Sequence, residues 1–401
     1  MGKLLLLLPA LPYPPRQGAA LRNWGMIQAL HDAGHELCLL CAAAGEIAPE
    51  LRERCLEIRC VHIPPRKNWR RLVDWLLRGK ADLVERLRQP RFQRELVELL
   101  ATHSFAAIQL EGLEMTTYLA DLAATNSRLV YDAHNAESAL QTSAAMLHQH
   151  PVKRWYSLSQ ARRLARHEAA VCAQVDVVIA VSEEDATQLR QLAPTAQIQV
   201  IPNAIDAGGY DVERAEAAVP TLVFSGKMDY RPNIDAVLWF QRVVWPRMRK
   251  AHPQLRWQIV GSAPSPAVRR LAADEKIEVT GSVAEVLPYL TASTVYVAPL
   301  RMGSGTRLKM LEAMAAGCAI VATPMAAAGL PGAGTAFLAA ETAEEFAKAI
   351  SSLLQDAPLR AALGAAGRSI VAEQFDWRRI VPLIQAIHEG DGASRMDSSR
   401  G

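Results

Sequence analysis

The sequence predicts an α/β protein made of two consecutive doubly wound parallel sheets. Three observations carry that prediction. Short, unbroken apolar runs recur along the chain between helical stretches, as expected for parallel strands buried on both faces. The 401 residues exceed one ordinary core and suit two domains of about 200 residues each. The pattern lapses once, at residues 203–220 around Gly208-Gly209, and then restarts.

In the first series KLLLLLP is a strand, residues 17–33 are helical, and HELCLLCA and LEIRCVHI are strands. Two basic helices follow, then the strands FAAIQL, RLVYDAH, DVVIAVS and QIQVIPN. The second series opens with the strand TLVFSG and a helix over 233–251. It continues through RWQIVG, KIEVTG and TVYVAPL to a helix that ends at Gly317 and the strand CAIVAT. Two helical segments over 343–374 and a last helix over 377–388 precede the polar tail GDGASRMDSSRG. The expected boundaries are 1–205 for the first Rossmann-like domain, 206–220 for a linker, 221–375 for the second, 376–389 for the last helix and 390–401 for a disordered tail.

Composition narrows the class. Half the residues are apolar and 21% charged, which suits a folded globular enzyme rather than a disordered or membrane-spanning chain. KLLLLLP is too short for a signal segment and lacks a small-residue cleavage site. Residues 313–340 carry no charge, but Pro324, Pro331 and several glycines interrupt them, so a membrane span is not expected. The six cysteines show no zinc spacing and are expected as free thiols in a reduced, cytoplasmic compartment. The net charge is only +3, yet residues 52–94 hold 13 Lys/Arg against 5 Asp/Glu. A helix over 69–87 there has an apolar stripe at helical spacing and a face with Arg70, Arg71, Trp75, Arg78 and Arg86. Such a face suits peripheral contact with the inner surface of the membrane; a solvated core-packing helix is the plain alternative.

The chemistry concentrates in PLRMGSGTRLKMLEAMAAGCAIVAT, residues 299–323. Gly303, Ser304, Gly305 and Thr306 form a turn whose N–H groups open a helix, and Arg307 and Lys309 stand in its first turn. Cations there oppose the helix dipole unless an anion occupies the site; ordinary surface cations are the alternative. Glu312 is placed to accept from vicinal hydroxyls, or to pair with Lys309 along the helix. The loop SGKMDYRPN adds Lys227 and Arg231 after another strand. In PPRQGAALR, Gly18 allows close backbone approach or merely shapes a turn. YDAHNAE crowds Asp132, His134, Asn135 and Glu137 at a strand's carboxyl end. His134 is then either a donor to a sugar hydroxyl or a cap for the next helix. No P-loop, HExxH, GxSxG or Asp-x-Asp pattern occurs.

With these residues the chain resembles the family 4 glycosyltransferases, most specifically in PLRMGSGTRLKMLEAMAAG, VFSGKMDYRPNIDAVLWF, VSEEDA, VIPNAID and YDAHNAE. The resemblance covers nearly the whole chain. It points to the bacterial branch associated with exopolysaccharide and PEP-CTERM protein-sorting gene clusters. It implies the GT-B fold, two Rossmann-like domains facing across a cleft, and metal-independent retaining transfer from a nucleotide sugar. Glu312 matches the second glutamate of the family's paired motif, which holds the ribose; Lys227 and Arg231 match its diphosphate-contacting loop. Ser304 stands where the first glutamate is expected, so the donor sugar does not carry over. The last helix resembles the segment that crosses back to the first domain.

The expected function is therefore hexosyl transfer (EC 2.4) from a UDP- or GDP-sugar to a glycan or lipid-linked acceptor in cell-surface polysaccharide biosynthesis. His134, Lys227 and Arg307 are the expected catalytic residues. Gly18, Arg231, Gly303, Ser304, Gly305, Thr306, Lys309 and Glu312 are expected to bind the donor. No cofactor, metal or nucleic-acid partner is expected. The alternatives are an epimerase or phosphorylase on the same fold, or a non-catalytic nucleotide-binding scaffold.

Overall fold

The computed structural model describes residues 2–15, 18–64, 81–146, 150–215, 217–303 and 307–389. The chain forms two compact units. One takes the residues up to Pro202 together with those from Arg378 onward; the other is Asn203–Trp377.

The first unit carries β1 Lys3–Leu8, β2 Glu36–Cys41, β3 Glu57–Cys60, β4 Ala107–Glu111, β5 Arg128–Ala133, β6 Val177–Ala180 and β7 Ile198–Val200. Their order is β3-β2-β1-β4-β5-β6-β7, and every pair is parallel. Leu4 to Leu8 are all buried, because helices cover both faces of a parallel sheet. The order reverses between β1 and β4, and crevices beyond the carboxyl ends at such a reversal are where ligands bind.

The second unit repeats the plan with β8 Thr221–Ser225, β9 Arg256–Val260, β10 Ile277–Gly281, β11 Val295–Ala298, β12 Ile320–Ala322 and β13 Leu338–Ala339. The order is β10-β9-β8-β11-β12-β13, reversing between β8 and β11. All strands expected from the sequence are present. β13 was not expected: two residues carry no periodic signal.

Two helices depart from expectation. The one expected over 233–251 begins at Arg231 and divides into Arg231–Trp239, a π-helical turn Phe240–Val244 and Trp245–Ala251. Pro246 lacks the N–H that a continuous α ladder needs, and a wider turn before it accommodates the loss. The single helix expected over 69–87 is contradicted at its C-terminal end. Ala81 is extended (φ −74°, ψ 130°), and only Asp82–Glu85 is helical beyond it. Ala81, Leu83, Val84 and Leu87 still pack on the first core, so apolar spacing continued through a break that periodicity does not register. Arg70, Arg71, Trp75 and Arg78 lie outside the described residues, as does the tail 390–401.

The stretch read as a linker, 206–220, contains a 3-10 turn Ala207–Tyr210. Arg214 donates from there to Leu290 O at 3.1 Å and to Ser293 O. No helix among the described residues is long and apolar enough to cross a membrane.

The loops after β8 and β9 touch through backbone alone. Gly226 and Gly261 both have φ +145°, and a Cβ on Gly261 would lie 1.8 Å from Gly226 O. Gly261→Ala is therefore expected to cost about 3 kcal/mol or more of unfolding free energy, as read by urea denaturation. A loss below about 0.5 kcal/mol would contradict the contact.

Candidate functional site

Polar residues gather at the carboxyl ends of the strands in each unit. In the second unit the first of them lie in the loop after β8. Gly226 N donates to Val260 O and Met228 N to Ser262 O, pinning that loop to the end of β9. Lys227 projects outward and pairs with Asp229 at 3.4 Å. Arg231 is the first residue of its helix, followed by Pro232, whose missing N–H is harmless there. Asn233, buried in the same turn, donates to Lys227 O at 2.8 Å and accepts from Lys309 Nζ at 2.6 Å.

Lys309 comes from the helix Leu308–Ala315, with Arg307 at the N-cap. Its ammonium lies 4.4 Å from the Phe224 ring centroid. Burial, with Arg307's charge adding to it, brings the Lys309 pKa down to about 7; Glu312 works the other way. Lys309 thus reaches Asn233 rather than pairing with Glu312. Glu312 accepts from the Tyr210 hydroxyl at 3.0 Å. Burial raises its pKa, and the Tyr210 bond and Lys309 temper the rise. Gly303 has φ +122° and stands against the Arg307 guanidinium, which would lie 3.1 Å from an added Cβ. The structure therefore gathers Gly226, Asn233, Lys309, Glu312 and Tyr210 around the β8 end, with Gly303 and Arg307 together beside the helix start. Ser304, Gly305 and Thr306 lie outside the described residues.

In the first unit Gly18 opens the helix Gly18–Asp32 and is exposed. Arg22 of that helix is buried and grips buried Asp132 through two bonds of 2.8 Å. Glu111 ends β4 fully buried, 3.0 Å from His134 Nε2. Burial and the charge on Asp132 raise the Glu111 pKa. Glu111, Asp132 and His134 bring their ligand-type atoms within 4.8 Å of one another. Both oxygens of Asp132 are committed to Arg22, so the guanidinium supplies the positive charge this cluster needs.

The capping alternative for His134 fails. The helix Glu137–Met146 is capped by Glu168, which accepts from Glu137 N and Ser138 N at 2.6 and 3.1 Å, while Asp185 accepts from Ala136 N at 2.9 Å. Asn135 donates to Glu137 at 3.0 Å. Burial, with Glu114 adding to it, pushes the Glu137 carboxyl up to about 7. Arg22 and Asn233 fall within PPRQGAALR and SGKMDYRPN but carry no local signal of a role, and Gln109, Glu111, Glu168 and Tyr210 lie outside the motifs singled out from sequence. QLEG, an apolar strand ending in Glu then Gly, was a usable signal for Glu111.

Two family models match the chain. "Glycosyl transferases group 1" takes residues 219–356, and "Glycosyltransferase Family 4" takes residues 17–208. The chain belongs to the family 4 glycosyltransferases. No curated protein matches it by sequence. Solved structures share the fold of this glycosyltransferase, which is the GT-B type. Sucrose-phosphate synthase from Thermosynechococcus elongatus superposes with a TM-score of 0.74 at 18% identity, covering 96% of this chain and 98% of that one. HepE from Anabaena, in complex with UDP and glucose, gives 0.68 at 16% identity over 96% and 99%. WaaG, a glycosyltransferase involved in lipopolysaccharide biosynthesis, gives 0.66 at 14% identity over 96% and 100%.

Glu137 provides a pH test of this glycosyltransferase's polar first unit. Its folded pKa near 7 exceeds the ordinary 4.5, so its stabilising contribution is full below pH 4.5 and is lost as pH rises through 7. Glu137→Gln should gain about 1 kcal/mol or more relative to the native chain between pH 5 and pH 8. A stability difference that stays constant with pH would refute the buried carboxyl.

Proposed function

We propose that the chain transfers a sugar, with retention of configuration, from a nucleotide-diphosphate donor to a hydroxyl of a glycan or lipid-linked acceptor in cell-surface polysaccharide biosynthesis. One observation carries this reading. A desolvated lysine, Lys309, sits in the first turn of a helix with a carboxylate, Glu312, one turn on. That arrangement suits a ligand anionic at one end and hydroxylated at the other. The UDP in the HepE complexes favours a UDP-sugar over a GDP-sugar.

In this reading Lys227, Arg231, Arg307 and Lys309 stabilise the leaving diphosphate. Glu312, oriented by Tyr210, accepts from the ribose hydroxyls. Backbone N–H groups of residues 303–306 contribute beside the sugar, where Ser304 replaces a carboxylate. His134 hydrogen-bonds the transferred sugar. The donor is a substrate; neither a metal nor a cofactor takes part. The assignment of the reaction to a cytoplasmic enzyme at the inner membrane face, in the exopolysaccharide branch, belongs to the same proposal. Its support is the sequence resemblance and the basic stretch 52–94.

Lys227→Ala and Arg307→Ala should each lower turnover by about 10²-fold or more, measured as nucleotide release from a panel of UDP-, GDP- and ADP-sugars with and without a lipid-linked acceptor. Near-native turnover in both variants would refute the site. Conversion of the donor without acceptor would indicate an epimerase instead.

A further inference from the structure

The first unit contains a chain of buried polar groups that leads from His134 to the last helix. Glu111 has no solvent exposure. Its Oε2 lies 3.0 Å from His134 Nε2, and its Oε1 accepts from Gln109 Nε2 at 2.6 Å. Gln109 Oε1 in turn lies 2.6 Å from Nε2 of His388, on the helix Trp377–Glu389. His388 Nδ1 is 2.9 Å from Ile384 O, one turn back. Asn23, with its amide nitrogen toward Glu111, adds a bond to Oε2 at 2.9 Å and another to Ala19 O at 3.2 Å. Four elements thus converge on one buried carboxyl group.

A tie between elements does not require a carboxylate. An uncompensated buried charge costs several kcal/mol, whereas an amide of the same shape makes neutral bonds. A carboxylate is retained usefully where a partner can carry a proton. Arg22 is committed to Asp132 through two bonds, and His134 is the titratable group that Glu111 touches. Which nitrogen of an imidazole carries the proton is set by the bond the other side of the ring makes.

We propose that Glu111 is a positioning residue: it accepts from His134 Nε2–H, fixes that tautomer and turns Nδ1 toward the sugar ligand, while Gln109 and His388 hold the Glu111 rotamer. The inference rests on the reading of His134 as the sugar-facing group. Gly112 supports it. With φ +79°, it places no side chain beside the ring; a Cβ there would sit 3.7 Å from His134 Nδ1 and 2.9 Å from Glu114 Oε2. The charges around the ring agree. Burial alone would lower the His134 pKa, but the Glu111 bond and the charges on Asp132 and Glu111 outweigh it and raise the pKa, against a smaller opposing effect of Arg22. Glu137, Glu114 and Glu168 are further acids near this end of the sheet; Glu114 and Glu168 raise the Glu137 pKa, and His134 lowers it.

The test is a 15N-histidine NMR titration of the full chain, with turnover measured alongside. In the native chain His134 should be the Nε2–H tautomer with a pKa above 6.5. In Glu111→Gln that pKa should fall by about one unit or more. The limb of the pH–rate profile governed by His134 should move to lower pH by the same amount. Turnover should drop about tenfold while the donor KM stays within about twofold. Should Glu111→Gln fail to fold, Glu111→Asp, which withdraws the carboxylate by one methylene, should show the same downward shift. An unchanged His134 tautomer and pKa in the folded variant would overturn the proposal, even with a lowered melting temperature. Because the titration needs no turnover, an intact pKa shift without transferase activity would count against the functional reading and not against this one.

Discussion

Parallel strands buried on both faces leave their carboxyl ends as the natural place for a polar group to meet a ligand, and this protein applies that constraint twice. Each sheet is all-parallel, with its order reversing between β1 and β4 or between β8 and β11. At those reversals lie Glu111 and, one strand further on, Asp132 and His134; in the second unit lie Gly226 and the start of the helix Leu308–Ala315. Apolar side chains occupy the strand interiors so completely that charge is displaced to the rims. The chemistry follows from where the sheet has room for it.

The two rims handle charge differently. In the second unit a lysine is partly stripped of water while its contacts, Asn233 and the Phe224 ring, carry no full negative charge. Such a group is costly as an ion and becomes favourable when an anion arrives. In the first unit the charges are already matched. Arg22 neutralises Asp132, and His134 faces Glu111. One rim holds a lysine without a matching carboxylate contact; the other pairs its buried charges within itself.

Much of the fold was legible because a buried parallel strand leaves a strong local mark: KLLLLL and TLVFS read as strands without any tertiary knowledge. The helix over 69–87 misled because apolar spacing continues past the extended Ala81. Lys309 and Glu312 were legible because their spacing lies within one helix. Arg22 and Asp132 are 110 residues apart, and Tyr210 and Glu312 are 102 apart. No local window relates such partners; only the strand order does. His134 was visible as a candidate, but whether it capped a helix depended on Glu168, which lies on a different helix from the one it caps.

The central claim is that the desolvated Lys309 marks where the diphosphate of the donor binds. Calorimetric titration of UDP at pH 8, in two buffers of different ionisation enthalpy, tests it most directly. A lysine with a pKa near 7 in the free protein is largely neutral at that pH and should take up a proton when the diphosphate arrives. The account predicts net proton uptake in the native chain, and weak UDP binding without uptake in Lys309→Met. Tight binding with no proton uptake in the native chain, or native affinity in Lys309→Met, would contradict it.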